Sequence, residues 1–295
     1  MRFNVITNLA NGVGLERDYI LLRGELERLG HQVAGVQFNG AEDASPADVN
    51  VFLETVEPRF FAAAGRQWAV PNPEWWFQGW NKFLPAFEHV LAKTHDCERI
   101  FAASGKAKYL GWRSRDLLAP EQRRSPDFLH VAGKSQAKNT APVLAAWGKA
   151  AFKARLTVIS ECYRLPRIAG VRMQRRITDD QLRQAMNLHQ FHLLPSAYEG
   201  WGHALHEGMG VGAVMITTDA PPMNEFGAAV LVPAAASGRQ HAAPMAMVEP
   251  DALIAAVEQA LRLTPQEIAE HSARARERFL ADAAGFTERL ERLCA

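Results

Sequence analysis

Two hydrophobic periods alternate along this chain, and the alternation runs through twice. "RFNVI" (2–6) is a short apolar run of β type, and Leu15 to Leu29 then repeats apolar residues at helical spacing and stops at Gly30. "HQVAGVQF" (31–38), "DVNVFL" (48–53), "QWAV" (67–70) and "EHVLAK" (88–93) read as further strands. The pattern lapses in "RSRDLLAPEQRRSP" (113–126), which is charged, holds two prolines and has no apolar period, so a boundary is expected near 112–125. Beyond it come the strand "DFLHVAG" (127–133), a helix over 139–150, the strand "LTVIS" (156–160) and a helix over 179–187. "QFHLLPS" (190–196), a helix from about 203, "AVMITT" (213–218) and helices at 250–262 and 265–293 complete the series.

Short β-type runs separated by helical stretches predict parallel sheets with helices on both faces. The expected fold class is α/β, with two doubly wound Rossmann-like domains at 1–115 and 116–295. A chain of 295 residues is long enough for two cores. In such sheets the loops after the strands form the binding crevice, and two such domains facing one another predict a cleft between them.

Composition narrows the function classes. The chain is 48% hydrophobic and 22% charged, with a net charge of +1, so no global field draws it to nucleic acid or membrane. Cys97, Cys162 and Cys294 are far apart and form no CxxC, which argues against a disulfide framework or a zinc knuckle. No signal-peptide core and no bilayer-length apolar run occur, so a soluble, cytoplasmic protein without an integral membrane segment is expected. Nothing in the sequence sets its oligomeric state.

The candidate chemistry lies in "PSAYEGWGHALHEGMGVG" (195–212). Glu–x7–Glu spacing decides nothing by itself, and the plain reading is a loop acid at Glu199 and a solvated helix acid at Glu207. The setting adds weight: Ser196 ends a strand, Tyr198 to Gly202 make a turn, and a helix runs through Glu207. A helix N-terminus offers unbonded amides and the positive end of a dipole. Gly200 and Gly202 would let a phosphate approach the backbone. Glu199 is placed to accept from sugar hydroxyls, and Glu207, further along the helix, from those of a ribose. Together they describe a site for one nucleotide sugar.

The segment "PSAYEGWGHALHEGMGVGAVMITTDAPPMNE" (195–225) resembles the donor-binding segment of the GT-B glycosyltransferases, in the retaining, family-4-like group that carries a Glu–x7–Glu pair. Pro195, Ser196, Glu199, Gly200, Gly202, Glu207, Gly208, Gly212 and Glu225 carry the match, while "EGMG" stands where "EAMA" is common. "FLHVAGKSQAKNT" (128–140) is similar to the group's strand–Gly–basic motif, which implies that Lys134 and Lys138, after Gly133, grip the donor diphosphate. Cations there absorb the charge that develops on a pyrophosphate leaving group. Arg176 and Ile177 fall where the group cradles the nucleobase, Trp201 lies within the glycine turn, and His203 follows it at the helix start. The N-terminal half resembles the group only in architecture and in Gly12 and Gly14 of "NGVG", which are similar to a phosphate contact. No DxD motif is present, so the resemblance implies a metal-independent transferase with no cofactor besides its donor, a UDP- or GDP-sugar. It also implies retention by a front-face route that needs no protein base, and a last helix that packs back on the N-terminal domain.

Other readings are weighed against these. Gly12-Val13-Gly14 lacks the third glycine of a dinucleotide fingerprint and reads equally well as a plain turn, which disfavours an oxidoreductase. His189, His192, His203, His206 and Glu207 invite a metal site, but HExxH is absent and no metal is expected. Asn72, Glu74, Lys93, Thr94 and His95 follow strands in the first half and suit acceptor hydroxyls, with turn chemistry and a cap at Thr94 as the plain alternative. For an inverting reaction, His95, Glu74 or Asp96 would supply the base. Trp75, Trp76 and Trp80 would stack on a sugar or base, or fill a core. Five arginines in 164–176, with Arg113, Arg115, Arg123 and Arg124, suit a solvated face or a phosphate-tracking patch for a nucleic-acid acceptor. The acceptor stays open between a saccharide, a small molecule and a modified nucleic-acid base. A non-catalytic nucleotide-sugar-binding partner subunit is the remaining alternative.

Overall fold

A computed structural model describes residues 1–10, 12, 14–119, 123–162 and 168–295. The chain divides into two compact units, each described by itself. One comprises 1–113, 239–243 and 282–295, and the other 114–238 and 244–281.

In the first unit, β1 (Arg2–Thr7), α1 (Gly14–Arg28), β2 (Gln32–Gln37), β3 (Ala47–Leu53), β4 (Ala64–Val70), β5 (His89–Ala92), α2 (His95–Phe101) and β6 (Ala107–Tyr109) follow in chain order. The strands form one parallel sheet in the order β2-β1-β3-β4-β5-β6. The inner strands are buried nearly end to end, as parallel strands covered on both faces must be. Ile6, Phe52, Phe60, Trp76, Phe87 and Phe101 are among the side chains of its core.

In the second unit, β7 (Ser125–Gly133), α3 (Thr140–Ala150), β8 (Leu156–Ser160), β9 (Val171–Gln174), α4 (Asp179–Leu188), β10 (His189–Leu194), α5 (His203–Gly210), β11 (Val214–Thr218) and β12 (Val230–Val232) build a second parallel sheet. Its order is β12-β11-β10-β7-β8-β9, the arrangement of dinucleotide-binding sheets. Phe128, Trp147, Phe191, Ile216, Leu253 and Val257 belong to its core. A ribbon of β13 (Ala234–Gln240) and β14 (Ala243–Val248) follows, then α6 (Pro250–Leu261) and α7 (Pro265–Cys294).

Helix α7 contains 30 residues and belongs to both units in turn. Thr264 and Glu267 start it with reciprocal bonds, Glu267 N–H to Thr264 Oγ1 at 3.2 Å and Thr264 N–H to Glu267 Oε2 at 2.8 Å. Its final turns lie within the first unit: Phe286 packs at a tilt against Trp112 with ring centroids 4.9 Å apart, and Arg289 donates to Leu110 O at 2.6 Å.

The two six-stranded sheets are the predicted α/β class, and the apolar runs became strands within three residues of their expected limits. Helix α2 begins only two residues after β5 ends, capped by Thr94, whose Oγ1 accepts from Cys97 N–H at 3.1 Å. β6 (AKY) and β9 (VRMQ) are short edge strands without an apolar run, and the hydrophobic pattern gave no sign of them.

Candidate functional site

Both sheets contain a switch point, where chain connections leave neighbouring strands in opposite directions and open a crevice at the strand ends. In the second unit it lies between β7 and β10, since β8 flanks the one and β11 the other. The loops that leave these two strands are the motif-bearing segments 134–139 and 195–202.

Gly133 ends β7 at φ 56°, in the left-handed region that favours glycine, and turns the chain into the lysine loop. The loops are stitched to each other: Ala197 N–H donates to Ala137 O at 2.7 Å, and Asn139 Nδ2 donates to Pro195 O at 2.8 Å. Lys138 Nζ consequently reaches Glu199 Oε1, although 61 residues separate the two in sequence. Ser196 Oγ donates to the same oxygen at 2.6 Å. The Lys138 and Glu199 side chains remain 17% and 10% exposed, so the pair touches solvent. Lys134 is exposed on the same loop.

Gly202 forms the N-cap of α5 at φ 85°, and no side chain caps this helix. The helix start there presents the positive end of its dipole, the setting that favours an anion. A Cβ at Gly202 would sit 3.1 Å from Leu205 and 3.4 Å from Glu199 Cγ, so only glycine lets the turn close over the carboxylate. Gly200 and Trp201 are buried. Trp201 Nε1 donates to Ser114 Oγ at 3.0 Å, and Ser114 Oγ pairs with His203 Nδ1 at 2.8 Å, which fixes the start of α5.

Glu207 is buried within α5, and Arg115 Nε donates to its Oε1 at 3.2 Å. A second nitrogen of Arg115 binds Asp179 Oδ2 at 2.6 Å. In sequence Ser114 reads only as part of a boundary and Arg115 as part of a solvated face or a phosphate-tracking patch, so their bonds to His203 and Glu207 were not visible there. Arg176, with φ 50°, is exposed between β9 and α4, next to the half-buried Ile177.

The "EGMG" departure has a packing cause. A Cβ at Gly208 would meet Met215 Sδ at 2.8 Å and His192 Nδ1 at 2.9 Å, and one at Gly210 would meet the Phe279 ring at 3.0 Å. Large side chains behind α5 have taken the space that alanine methyls would fill.

The histidines serve the core. His189 bonds Ala185 O at 2.8 Å and Thr157 Oγ1 at 2.9 Å, His192 Nε2 donates to Met186 O at 3.0 Å, and His206 packs on Trp201, Phe226 and Phe279. Burial holds His130 down at about 4 and His192 at about 3. Among the described residues, no three His, Cys, Asp or Glu side chains are grouped to hold a metal ion. Part of the arginine set is engaged: Arg113 binds Glu25 at 3.1 Å, Arg124 donates to Val211 O and Gly212 O, and Arg175 donates to Glu161 O at 2.8 Å, while Arg123, Arg172 and Arg176 are exposed. Arg164 and Arg167 lie outside the described residues.

The first unit's candidates spread widely. Gly12 N–H donates to Glu16 Oε2 at 2.9 Å, so an anion at this amide would have to displace a carboxylate; Asn11 and Val13 lie outside the described residues. Gly14 opens α1. Lys93 is 0% exposed and ion-paired with Asp18, and Thr94 is a helix cap. His95 is exposed at the start of α2 and stacks on Tyr109 with ring centroids 3.9 Å apart. Glu74 and Asp96 are buried, and Arg99 pairs with Asp96. Trp76 is a core side chain and Trp75 is exposed; a concavity of about 960 Å³, lined in part by Trp76, Phe101, Arg239 and His241, lies beside them.

No protein-family model and no curated protein matches this sequence. Solved structures do match in fold. Sucrose-phosphate synthase from Thermosynechococcus elongatus superposes with a TM-score of 0.73 at 12% identity, over 99% of this chain and 98% of that one. Anabaena HepE in complex with UDP and glucose gives 0.72 at 13% identity, over 98% and 99%. The GtfA/B complex gives 0.65 at 16% identity, and there the chain spans 85% of its own length but only 57% of the other's. The fold is that of the GT-B glycosyltransferases. Among the described residues no helix is long and apolar enough to cross a membrane.

Proposed function

We propose that the chain is a glycosyltransferase that moves a sugar from a UDP- or GDP-sugar to an acceptor hydroxyl, with retention of configuration and without a metal ion. The observation that carries this reading is the meeting of Lys138 and Glu199 at the switch point of a dinucleotide-type sheet, beside the uncapped start of α5. That HepE was solved with UDP and glucose supports a nucleotide-sugar donor.

In this mechanism Lys138 turns from Glu199 to the donor diphosphate, joined by Lys134 and the first amides of α5 at Gly202 and His203. Glu199, with the backbone of Gly200 and Trp201, then accepts from the sugar hydroxyls. Glu207 accepts from the ribose, its charge balanced by Arg115, and Arg176 and Ile177 flank the base. The anomeric C–O bond to phosphate breaks as the acceptor oxygen bonds the same face of the anomeric carbon, and the acceptor proton passes to the departing phosphate oxygen. The lysines and helix amides stabilise the charge that develops there. Gly12 and Gly14 are outside this set, and His95, Glu74 and Asp96 have no role in a retaining reaction.

The stereochemical test needs no knowledge of the acceptor, because water can replace it. Time-resolved proton NMR of the sugar released from UDP-glucose or GDP-mannose, in EDTA and before mutarotation, should show the α-anomer first. A β-anomer released first would reject retention, and a strict requirement for divalent metal would reject the metal-free route.

A further inference from the structure

The first unit has a switch point of its own, and this inference rests on the transferase reading above. It lies between β1 and β3, because β2 flanks the one and β4 the other. The residue that follows β3 there is Glu54. Its φ is 64°, in the left-handed region that a residue with a Cβ enters only under strain. Its backbone N–H donates to Val70 O at 3.0 Å, so the β4 end holds it in that conformation. Glycine would adopt the same backbone without strain, so retaining a carboxylate here calls for an explanation.

The surroundings aim that carboxyl. Lys93, sealed under the strand ends, donates one bond to Asp18 and another to Asn72 Oδ1 at 2.9 Å. With its oxygen taken by the ammonium, the Asn72 amide must present Nδ2 outward, and Nδ2 donates to Glu54 Oε2. The side chains thus form a relay of fixed polarity, Asp18–Lys93–Asn72–Glu54. Oε1 of Glu54 has no hydrogen-bond partner among the described residues, and the side chain is only half-buried. Burial pushes its carboxyl up, against the Asn72 bond and the Lys93 charge that pull it down, while Asp18 adds to the rise.

We propose that Glu54 is the group of the first unit that binds the acceptor, its outer oxygen taking a hydroxyl of a sugar or polyol, with Asn72, Lys93 and Asp18 as the residues that position it. A carboxyl clamped through one oxygen and open at the other selects a hydroxyl of defined direction. That chemistry suits a polyhydroxylated acceptor, in place of the flat edge of a nucleobase or a lipid.

The test measures nucleotide release from UDP-glucose and GDP-mannose, with and without D-glucose, D-mannose, glycerol or myo-inositol, on wild type, Glu54→Gln and Glu54→Gly. UDP and GDP binding are measured on the same samples. We expect one or more of these polyols to stimulate release by the wild type. In Glu54→Gln the KM for that polyol should rise at least tenfold, with kcat changed less and nucleotide Kd within twofold. Glu54→Gly should lose the stimulation yet melt within about 3 °C of the wild type, since relief of backbone strain offsets the lost Asn72 bond. An unchanged polyol KM in Glu54→Gln, no response of the wild type to any polyol, or a collapse of Glu54→Gly stability would each overturn the assignment. Failure of the wild type to bind UDP or GDP would instead strike the donor reading.

Discussion

Each unit holds an ion pair near the ends of its parallel strands, Lys138–Glu199 on the loops of the switch point itself and Lys93–Asp18 between the end of β5 and helix α1, and the two pairs are solvated oppositely. In the second unit, Lys138 and Glu199 meet with both side chains in touch with water. In the first, Lys93 and Asp18 are sealed, at 0% and 3% exposure, with the ammonium 4.8 Å from the Trp112 ring centroid. A pair that touches water can trade its partner for a ligand at little cost, because each charge keeps some solvation. A sealed pair cannot, since separating it leaves a charge buried alone. Its use is to orient neighbours, and in this molecule those neighbours are Asn72 and Glu54. On the proposed mechanism, the solvated pair exchanges partners and the sealed pair holds a direction.

The sharpest way to break this contrast is to remove each lysine in turn. Lys93→Met should destabilise the protein by about 3–5 kcal/mol, because Asp18 is left as an unpaired buried charge. Adding Asp18→Leu should restore most of that loss, as read by urea unfolding. Lys138→Met should cost roughly 1 kcal/mol, since Glu199 keeps Ser196 and some solvent. Equal costs for the two lysines would remove the distinction.

Acid should next separate the units. His130 and His192, both in the second unit, have folded pKa values lowered to about 4 and about 3 from an unfolded value near 6.5. Below about pH 6.5 the unfolded chain binds protons that the folded chain refuses, so stability is full at neutral pH and falls towards pH 4, by about 3 kcal/mol for His130 alone. Hydrogen exchange at pH 7 and pH 4.5 should show protection lost first around β7 and β10. Uniform loss over both units would contradict the assignment of this acid sensitivity to His130 and His192.

A smaller effect tests why "EGMG" replaces alanines. Gly210→Ala should destabilise by about 1–3 kcal/mol despite its better helix propensity, because the new methyl overpacks the Phe279 ring. Phe279→Leu in the same background should recover part of the loss, measured by thermal melting. The smallest expected effect is Thr178→Ala, about 1 kcal/mol, from breaking the Thr178–Gln181 capping box at the start of α4. It should leave nucleotide binding unchanged.

Much of the second unit was legible in the sequence because its signals are local. "PSAYEGWG" and "GKSQAK" each follow an apolar strand, so topology alone carries Lys138 to Glu199. Ser114, Arg115, Asp18 and Glu54 were illegible for the opposite reason. Arg115 reaches Glu207 from 92 positions away and Lys93 reaches Asp18 from 75, and no spacing within a window encodes such contacts. Lys93 also shows why a polar residue after a strand is ambiguous: its position suited a ligand, but its side chain turns inward to a helix acid. Glu54 is an acid directly after an apolar run, a placement it shares with ordinary loop acids, and its positive φ is set by the β4 end and is invisible before folding.

The most direct test of the account is isothermal titration of UDP-glucose and GDP-mannose, in EDTA, into wild type and Lys138→Met. Metal-free binding of one donor by the wild type is expected, with at least tenfold weaker binding by the variant and its fold intact. Wild-type protein that binds neither donor, or a variant that binds as tightly as the wild type, would contradict the account.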